Sequence, residues 1–340
     1  MTERPRLTPA MADVRRAIRE NLSDLTPDAV VLVALSGGPD SLALAAGLAF
    51  EAPRAGLLAG AVIVDHGLQE GSDVVANNAA EQARALGLDP VVIRRVKVVA
   101  ASGPEADARS ARYEALQTVA SELSAVAVLL GHTLDDQAET VLLGLTRGSG
   151  ATSLAGMSEV NGIYRRPLLG IRRAETVAAC EDQGLSVWND PHNHDSSYTR
   201  VRIRNGVMPV LENQLGPGVA EALARTAEQL KQDAEVLDAL VAEIMPTVMI
   251  PVLGESGPPL RATLETSVLV GLAPALLNRV IRRSALDVFG VSLSAVHTNS
   301  IARLVTDWHG QGELHVPGIR VERQGAQLVL TASSSTPTEA

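Results

Sequence analysis

The sequence predicts an α/β protein: a parallel sheet with helices on both faces, joined by a long helix to a smaller mixed α/β domain. Three observations lead there. Between Val30 and Gly148, short apolar runs ending in glycine or polar residues alternate with stretches of helical periodicity, which is the rhythm of strands joined by crossover helices. From Pro217 the alternation gives way to one long amphipathic stretch. Beyond it, two helical stretches precede a strand, turn and strand near the C-terminus.

The first apolar run, "VVLVAL", ends in Ser36-Gly37-Gly38 and continues as "SLALAAGLAF". This reads as a strand, a tight loop and a helix beginning near Asp40-Ser41. Glycines let the backbone approach a ligand, and the helix N-terminus aims unpaired N–H groups and its positive dipole end at the same place. An anion belongs there. No lysine follows the glycines, so the loop is not a Walker A sequence.

Then "LLAGAVIVDHGL" reads as a strand, "SDVVANNAAEQARALG" as a helix ending at Gly87, and "PVVIRRVKV" as a strand. A helix over "GPEADARSARYEALQTVASEL", a strand at "AVAVLLGH" and a helix over "LDDQAETVLLGLTR", closed by Gly148, complete the alternation. Open parallel sheets bind ligands beyond the C-terminal ends of their strands. Those ends are Ser36-Gly37-Gly38, Asp65-His66-Gly67 and Gly131-His132. The expectation is one crevice, with Ser36, Gly37, Gly38, Pro39, Asp40 and Ser41 around phosphates and Asp65, His66 and Gly131 near a nucleotide base.

The richest string is "GHTLDDQAETVLLGLTRGSG". On a helix His132 and Asp136 are four apart, as are Asp135 and Glu139, and Asp136 and Glu139 are three apart, so much of the set shares a face. Asp135 reads equally well as an acid complementing the helix dipole. The set could hold Mg²⁺ or bind an ammonium group. Its oxygen-rich character opposite a phosphate loop favours magnesium over zinc.

The chain carries 29 basic and 39 acidic residues, net −10, which argues against general coating by nucleic acid and requires any RNA to meet a local patch. Arg165-Arg166 and Arg172-Arg173 flank "PLLGI", and Arg200, Arg202 and Arg204 follow. Further on, Arg279, Arg282 and Arg283 fall on one helical face. Aromatic residues are too few for a base-stacking platform, and Trp188 reads as a core or rim aromatic. The single cysteine, Cys180, excludes a disulfide framework, a Cys-only zinc site and an iron–sulfur cluster within one chain. No signal-type apolar segment and no run of 18 apolar residues occur, so a cytoplasmic protein without membrane spans is expected.

Together SGGPDS, VDHGL, GHTLDDQAETVLLGLTRGSG, RRPLL and "NDPHNHDSSYTRVRIR" resemble the tRNA(Ile)-lysidine synthetase family of PP-loop ATP pyrophosphatases, densely from Val30 to about Glu212. Gln69 stands where that family often has arginine, and Val201 where it usually has asparagine. The resemblance implies a PP-loop, adenine nucleotide alpha hydrolase-like domain that uses ATP and Mg²⁺ to attach L-lysine to C2 of the wobble cytidine, C34, of tRNA(Ile) with a CAU anticodon. ATP first adenylates the C2 oxygen, and the lysine amine then displaces AMP. It further implies catalytic roles for Asp40, His132, Asp136, Glu139 and Arg204, with Asp40 and Asp136 at the metal and Asp136 and Glu139 facing lysine. Arg112 and Arg204 would face phosphate or carboxylate, and Arg165, Arg166, Arg200, Arg202, Arg279, Arg282 and Arg283 would face tRNA. The expected layout is a catalytic domain over 1–215, a linker helix over 216–245, a tRNA-contacting domain over 246–332 and a disordered tail over 333–340, with a homodimer left open. Sulfur-inserting relatives would need paired cysteines, NAD and GMP synthetases lack the acidic string, and a non-catalytic ATP-binding module would have no use for it.

Overall fold

The computed structural model describes residues 8–67, 71–96, 103–148, 150–252 and 261–333. Gln69, the end of the predicted strand at 97–98 and the tail 334–340 lie outside the described residues. The chain divides into two compact units, Met1–Glu228 and Gln229–Ala340.

The first unit opens on helix α1 (Pro9–Asn21), started by the Thr8 hydroxyl, which accepts from the Met11 N–H at 3.4 Å. Then come β1 (Val30–Ala34), α2 (Pro39–Glu51), β2 (Leu58–Asp65), α3 (Ser72–Ala85), β3 (Val91–Arg95), α4 (Pro104–Glu122), β4 (Ala125–Leu129) and α5 (Leu134–Thr146). A short helix α6 (Ala151–Leu154) and a two-residue pair, β5 (Val160–Asn161) and β6 (Tyr164–Arg165), lead to α7 (Arg173–Asp182). Helix α8 (Thr199–Arg202), one π-helical turn (Ile203–Val207) and α9 (Met208–Leu215) precede α10 (Val219–Val248).

The sheet order is β3-β2-β1-β4-β6-β5, with all pairings parallel except β5 with β6. Strand order reverses between β1 and β4, and this switch point opens the crevice in such sheets. Alternation assigns the faces. Val31 and Val33 of β1 join α1, α2, α3 and α7 in one core, while Leu32 points the other way and joins Leu116, Val119 and Ala120 of α4. Small residues let the helices come close: a Cβ added at Gly47 would stand 2.4 Å from Ile18 Cδ1. Helix α1 was not expected from the sequence, yet Met11, Val14 and Ile18 are fully buried.

In the second unit, the later part of α10 is followed by β7 (Met249–Val252), β8 (Arg261–Glu265), α11 (Thr266–Leu269), α12 (Pro274–Phe289), α13 (Ala295–Thr306), β9 (Leu314–Val316), β10 (Ile319–Gln324) and β11 (Gln327–Ala332). The strands form an antiparallel sheet, β7-β8-β11-β10-β9. Leu264, Val321, Leu328 and Leu330 face Leu277, Val280 and Ile281 of α12 across a separate core. The expected hairpin is present, with Gln324 paired to Gln327 across Gly325 at φ 60°. The division between the units falls inside α10, after Glu228, so the linker and domain limits given above stand as a proposed subdivision. Among the described residues no helix is long and apolar enough to cross a membrane.

Candidate active site

The loop after β1 is held by its serines. The Ser41 hydroxyl accepts from the Ser36 N–H at 3.1 Å and donates to the Gly38 carbonyl at 3.0 Å, and the Ser36 and Ser41 hydroxyls lie 3.1 Å apart. Gly37 has φ +84°, a conformation that favours glycine, and its carbonyl accepts from the Trp188 N–H at 2.9 Å. Gly38 caps α2 without a side chain and Pro39 opens the helix, leaving first-turn N–H groups free for an anion. Gly131 closes the loop from β4: a Cβ there would stand 3.0 Å from the backbone of Asp40 and Ser41.

At the end of β2, Asp65 serves its own turn. One oxygen accepts the Gly67 N–H at 2.9 Å and the other lies 3.7 Å from Arg95. Burial pushes its pKa up, but Ser72, Gly67, Arg95 and His66 together hold it below the usual range. Burial, then Arg112, lowers the pKa of the half-buried His66, whose Nδ1 has no hydrogen-bond partner among the described residues. His132 at the end of β4 is pushed down to about 3, by burial first, and is therefore neutral at ordinary pH.

The acids of α5 divide their work. Asp136 Oδ2 accepts from the Thr133 N–H at 2.8 Å and its hydroxyl at 2.9 Å, which caps the helix. Its Oδ1 meets Arg173 Nη2 at 2.7 Å and Arg204 Nη2 at 3.1 Å. Burial raises the Asp136 pKa, but Arg173, the Thr133 N–H, His132 and Arg204 outweigh it and hold the group low. Glu139, only 2% exposed, takes Arg204 as a fork, at 2.7 Å from Nε and 3.1 Å from Nη2. Asp135 turns outward to α7, accepting from the Arg173 N–H at 2.8 Å and pairing with Arg172 at 3.0 Å. It staples two helices together.

Asp40 lies across from them. Its Oδ2 is 3.3 Å from Arg173 Nε, and its Oδ1 accepts the Thr176 hydroxyl. Burial raises its pKa, Asp136 adds to that, and Arg173 and Thr176 offset only part. Thus the structure brings Asp40, Asp136, Glu139 and Arg204 together, with Arg173 at their centre. Arg173 was legible only as one of a basic pair. The missed signal is the spacing Arg173 to Thr176, which places both on one face of a helix start, where the Arg172 N–H donates to Glu175 at 2.8 Å.

The arginines separate by environment. Arg112 is partly buried beside Arg109 and Arg200, its pKa lowered first by burial, and among the described residues it makes no hydrogen bond or ion pair. Arg200 donates to the Thr140 hydroxyl at 3.2 Å, and exposed Arg202 to the Ser196 and Ser197 carbonyls at 2.7 Å. Arg165 and Arg166 correct the expectation of an RNA-facing patch. Both are buried: Arg165 forks onto Asp24 at 2.6 and 2.8 Å and reaches the Asn21 carbonyl, and Arg166 donates to the Ser158 carbonyl at 2.8 Å. Arg165 ties the end of α1 to the sheet edge, and Arg166 is turned inward onto the chain just before β5. In α12, Arg279 lies 3.4 Å from Asp238 and Arg283 pairs with Asp287. Arg282 has no acid within ion-pair distance among the described residues, and burial, then Arg279, lowers its pKa.

Comparison with known proteins fits this geometry. The PP-loop domain family, which uses ATP, matches residues 11–211, and the TilS substrate binding domain matches residues 264–328. The chain is 57% identical over 304 residues to a tRNA(Ile)-lysidine synthase of Leifsonia xyli, covering 89% of this chain and 90% of the relative. The chain belongs to the tRNA(Ile)-lysidine synthase family. Relatives of the same name from Thermobifida fusca and Streptomyces coelicolor are each 50% identical, covering 95% and 88% of this chain and 98% and 85% of theirs. Membership makes the molecule a ligase that modifies tRNA, with the first unit as its ATP-using part. Among solved structures, the U34-tRNA thiolase NcsA from Methanococcus maripaludis with its [4Fe-4S] cluster has a TM-score of 0.55 at 20% identity, covering 65% of this chain and 79% of that one. That likeness concerns the fold alone. Here the one cysteine, Cys180, is buried with Sγ 3.2 Å from the Pro39 carbonyl, and burial pushes its thiol up to about 12.

Proposed function

We propose that this enzyme joins L-lysine to C2 of cytidine 34 in tRNA(Ile) bearing a CAU anticodon, consuming ATP and releasing AMP and pyrophosphate, so that the tRNA reads AUA instead of AUG. One observation supports the reading: Asp40 at the start of α2, partly buried Asp136 and buried Glu139 meet at Arg173, which suits nucleotide and amine sites sharing one crevice.

The chemistry needs both. The C2 oxygen of cytidine is a poor leaving group, so it first attacks the α-phosphorus of ATP, forming a C2–O–AMP bond as pyrophosphate departs. The free N–H groups of α2 and the Ser36–Ser41 loop hold the phosphates and stabilise the charge that develops. The lysine ε-amine then attacks C2, the C–O bond breaks and AMP leaves. At pH 7 only about one lysine amine in two thousand is neutral, so a carboxylate must bind the ammonium and take its proton. In this reading Asp136 Oδ1 and Glu139 take that part, and neutral His132 can pass or accept a hydrogen bond without adding charge. Partly buried Arg112, with no ion pair among the described residues, is in this reading a receptor for a phosphate or for the lysine carboxylate. Asp65, His66 and Gly131 would border the base of ATP.

Magnesium fits this donor set. Among the described residues no group of three or more His, Cys, Asp or Glu is arranged to hold a metal, but Mg²⁺ needs only one or two carboxylates when phosphate oxygens complete its shell. Asp40 and Asp136 would hold it, and it would neutralise phosphate charge. We place the reaction in the cytoplasm, where tRNA, ATP and lysine meet, and take a homodimer as the assembly to test by light scattering.

The test follows labelled ATP. AMP and pyrophosphate should form only when CAU tRNA(Ile) is present. Formation of ADP, or full turnover without RNA, would refute the reading.

A further inference from the structure

Arg173 occupies the point where a cation shared by the phosphate loop and the acids of α5 would stand. Its Nε is 3.3 Å from Asp40, its Nη2 2.7 Å from Asp136 and its Nη1 3.5 Å from Glu139. One guanidinium thus touches three carboxylates on two helices. With Arg204 the local formal sum is three negative against two positive charges, −3 + 2 = −1.

The manner of pairing matters. Two other arginines of this unit use the two-pronged geometry that gives the strongest pairing: Arg165 forks onto Asp24 at 2.6 and 2.8 Å, and Arg204 onto Glu139 at 2.7 and 3.1 Å. Arg173 forks onto none of its partners. It makes one short contact and two long ones, and it can leave without unmaking a bidentate pair. Its helix is anchored independently of its guanidinium, since Thr176 donates to Asp40 and the Arg173 N–H is capped by Asp135 at 2.8 Å. A side-chain rotation is therefore enough to move the charge toward the loop, and the backbone stays.

We propose that Arg173 is a displaceable internal counter-cation. Before nucleotide binds it fills the cation position between Asp40 and Asp136 and keeps a divalent ion out. When phosphates seat at Ser36–Ser41 they draw the guanidinium to themselves and release the two carboxylates to the metal that arrives with them. Metal and nucleotide then enter together, and the acids are never loaded alone. This inference rests on the reading of Asp40 and Asp136 as the metal-holding pair.

Mn²⁺ is the probe, with its free concentration followed by electron paramagnetic resonance during titration with the full chain. The wild-type protein should bind Mn²⁺ at least about tenfold more tightly with a non-hydrolysable ATP analogue than without it. Without nucleotide, Arg173→Gln should bind Mn²⁺ at least about tenfold more tightly than wild type, because a unit charge a few ångströms away has been removed. Arg173→Lys should stay near wild type. Thermal melting checks folding, and Arg173→Met, which fills similar space without charge, is the second uncharged variant. Equal Mn²⁺ affinity of the wild-type, Gln and Met proteins without nucleotide would overturn the proposal. Absence of Mn²⁺ binding in every protein, even with the analogue, would overturn the metal reading beneath it, a separate failure.

Discussion

A single carboxylate carries two duties in this site, and its two oxygens keep them apart. Asp136 Oδ2 caps α5 through Thr133, while Oδ1 faces the crevice. Asp136→Asn keeps the shape and an acceptor for the cap but removes the charge that, in the proposed reaction, meets an amine or a metal. We expect lysidine formation to fall at least a hundredfold while the melting temperature shifts by only a few degrees. Turnover near wild type would leave Asp136 as a capping residue only. His132 supplies a pH signature. Its folded pKa of about 3 lies below the ordinary 6.5, so between these values the unfolded chain binds a proton that the native site refuses. Its contribution to stability is whole above about pH 6.5 and shrinks as pH falls toward 3. His132→Gln should therefore flatten the melting-temperature profile between pH 6.5 and 4, and an unchanged slope would show that His132 is not held neutral.

Elements were legible where one periodicity dominates. The glycine-closed apolar runs at Val30 and Ala125 and the helices at Ser72, Leu134, Pro274 and Ala295 follow directly from spacing and turn residues. Helix α1 was missed because five of its thirteen residues are charged, and its charges have specific destinations: Arg15 and Arg19 reach buried Glu51 of α2 at 3.0 and 2.9 Å. Burial pushes the Glu51 pKa up, and the two arginines more than reverse it. That stabilisation is present above the ordinary carboxylate range and is lost as pH falls through the depressed folded value. Glu51→Gln, by leaving two guanidiniums underpaired, should cost about 1–3 kcal/mol and lower the melting temperature by several degrees, with KM for ATP, lysine and tRNA unchanged. Arg165 and Arg166 were misread for the related reason that sequence shows charge but not its partner. Asp24 lies far away in the chain, and only the fold brings it to Arg165.

At the scale of the whole molecule, an acidic chain must hold an acidic polymer, and it must do so through local patches of basic residues. In α12, Arg279 and Arg283 already face Asp238 and Asp287, so Arg282 is the member with charge to offer. Arg282→Gln should raise KM for tRNA and reduce the slope of log affinity against log salt by about 0.7–0.9. Arg283→Gln should do less, and ATP affinity should not move. Equal slopes in all variants would remove α12 from the RNA-binding surface. The claim on which the rest depends is that the crevice of the first unit transfers lysine to one nucleoside. Purified enzyme incubated with ATP, lysine and CAU tRNA(Ile), followed by digestion and mass spectrometry of the nucleosides, reads it directly. The account predicts that cytidine at position 34 is replaced by a cytidine joined to lysine with loss of its C2 oxygen, and that nothing forms when lysine or ATP is withheld. An unmodified cytidine 34 under conditions in which ATP is consumed would contradict it.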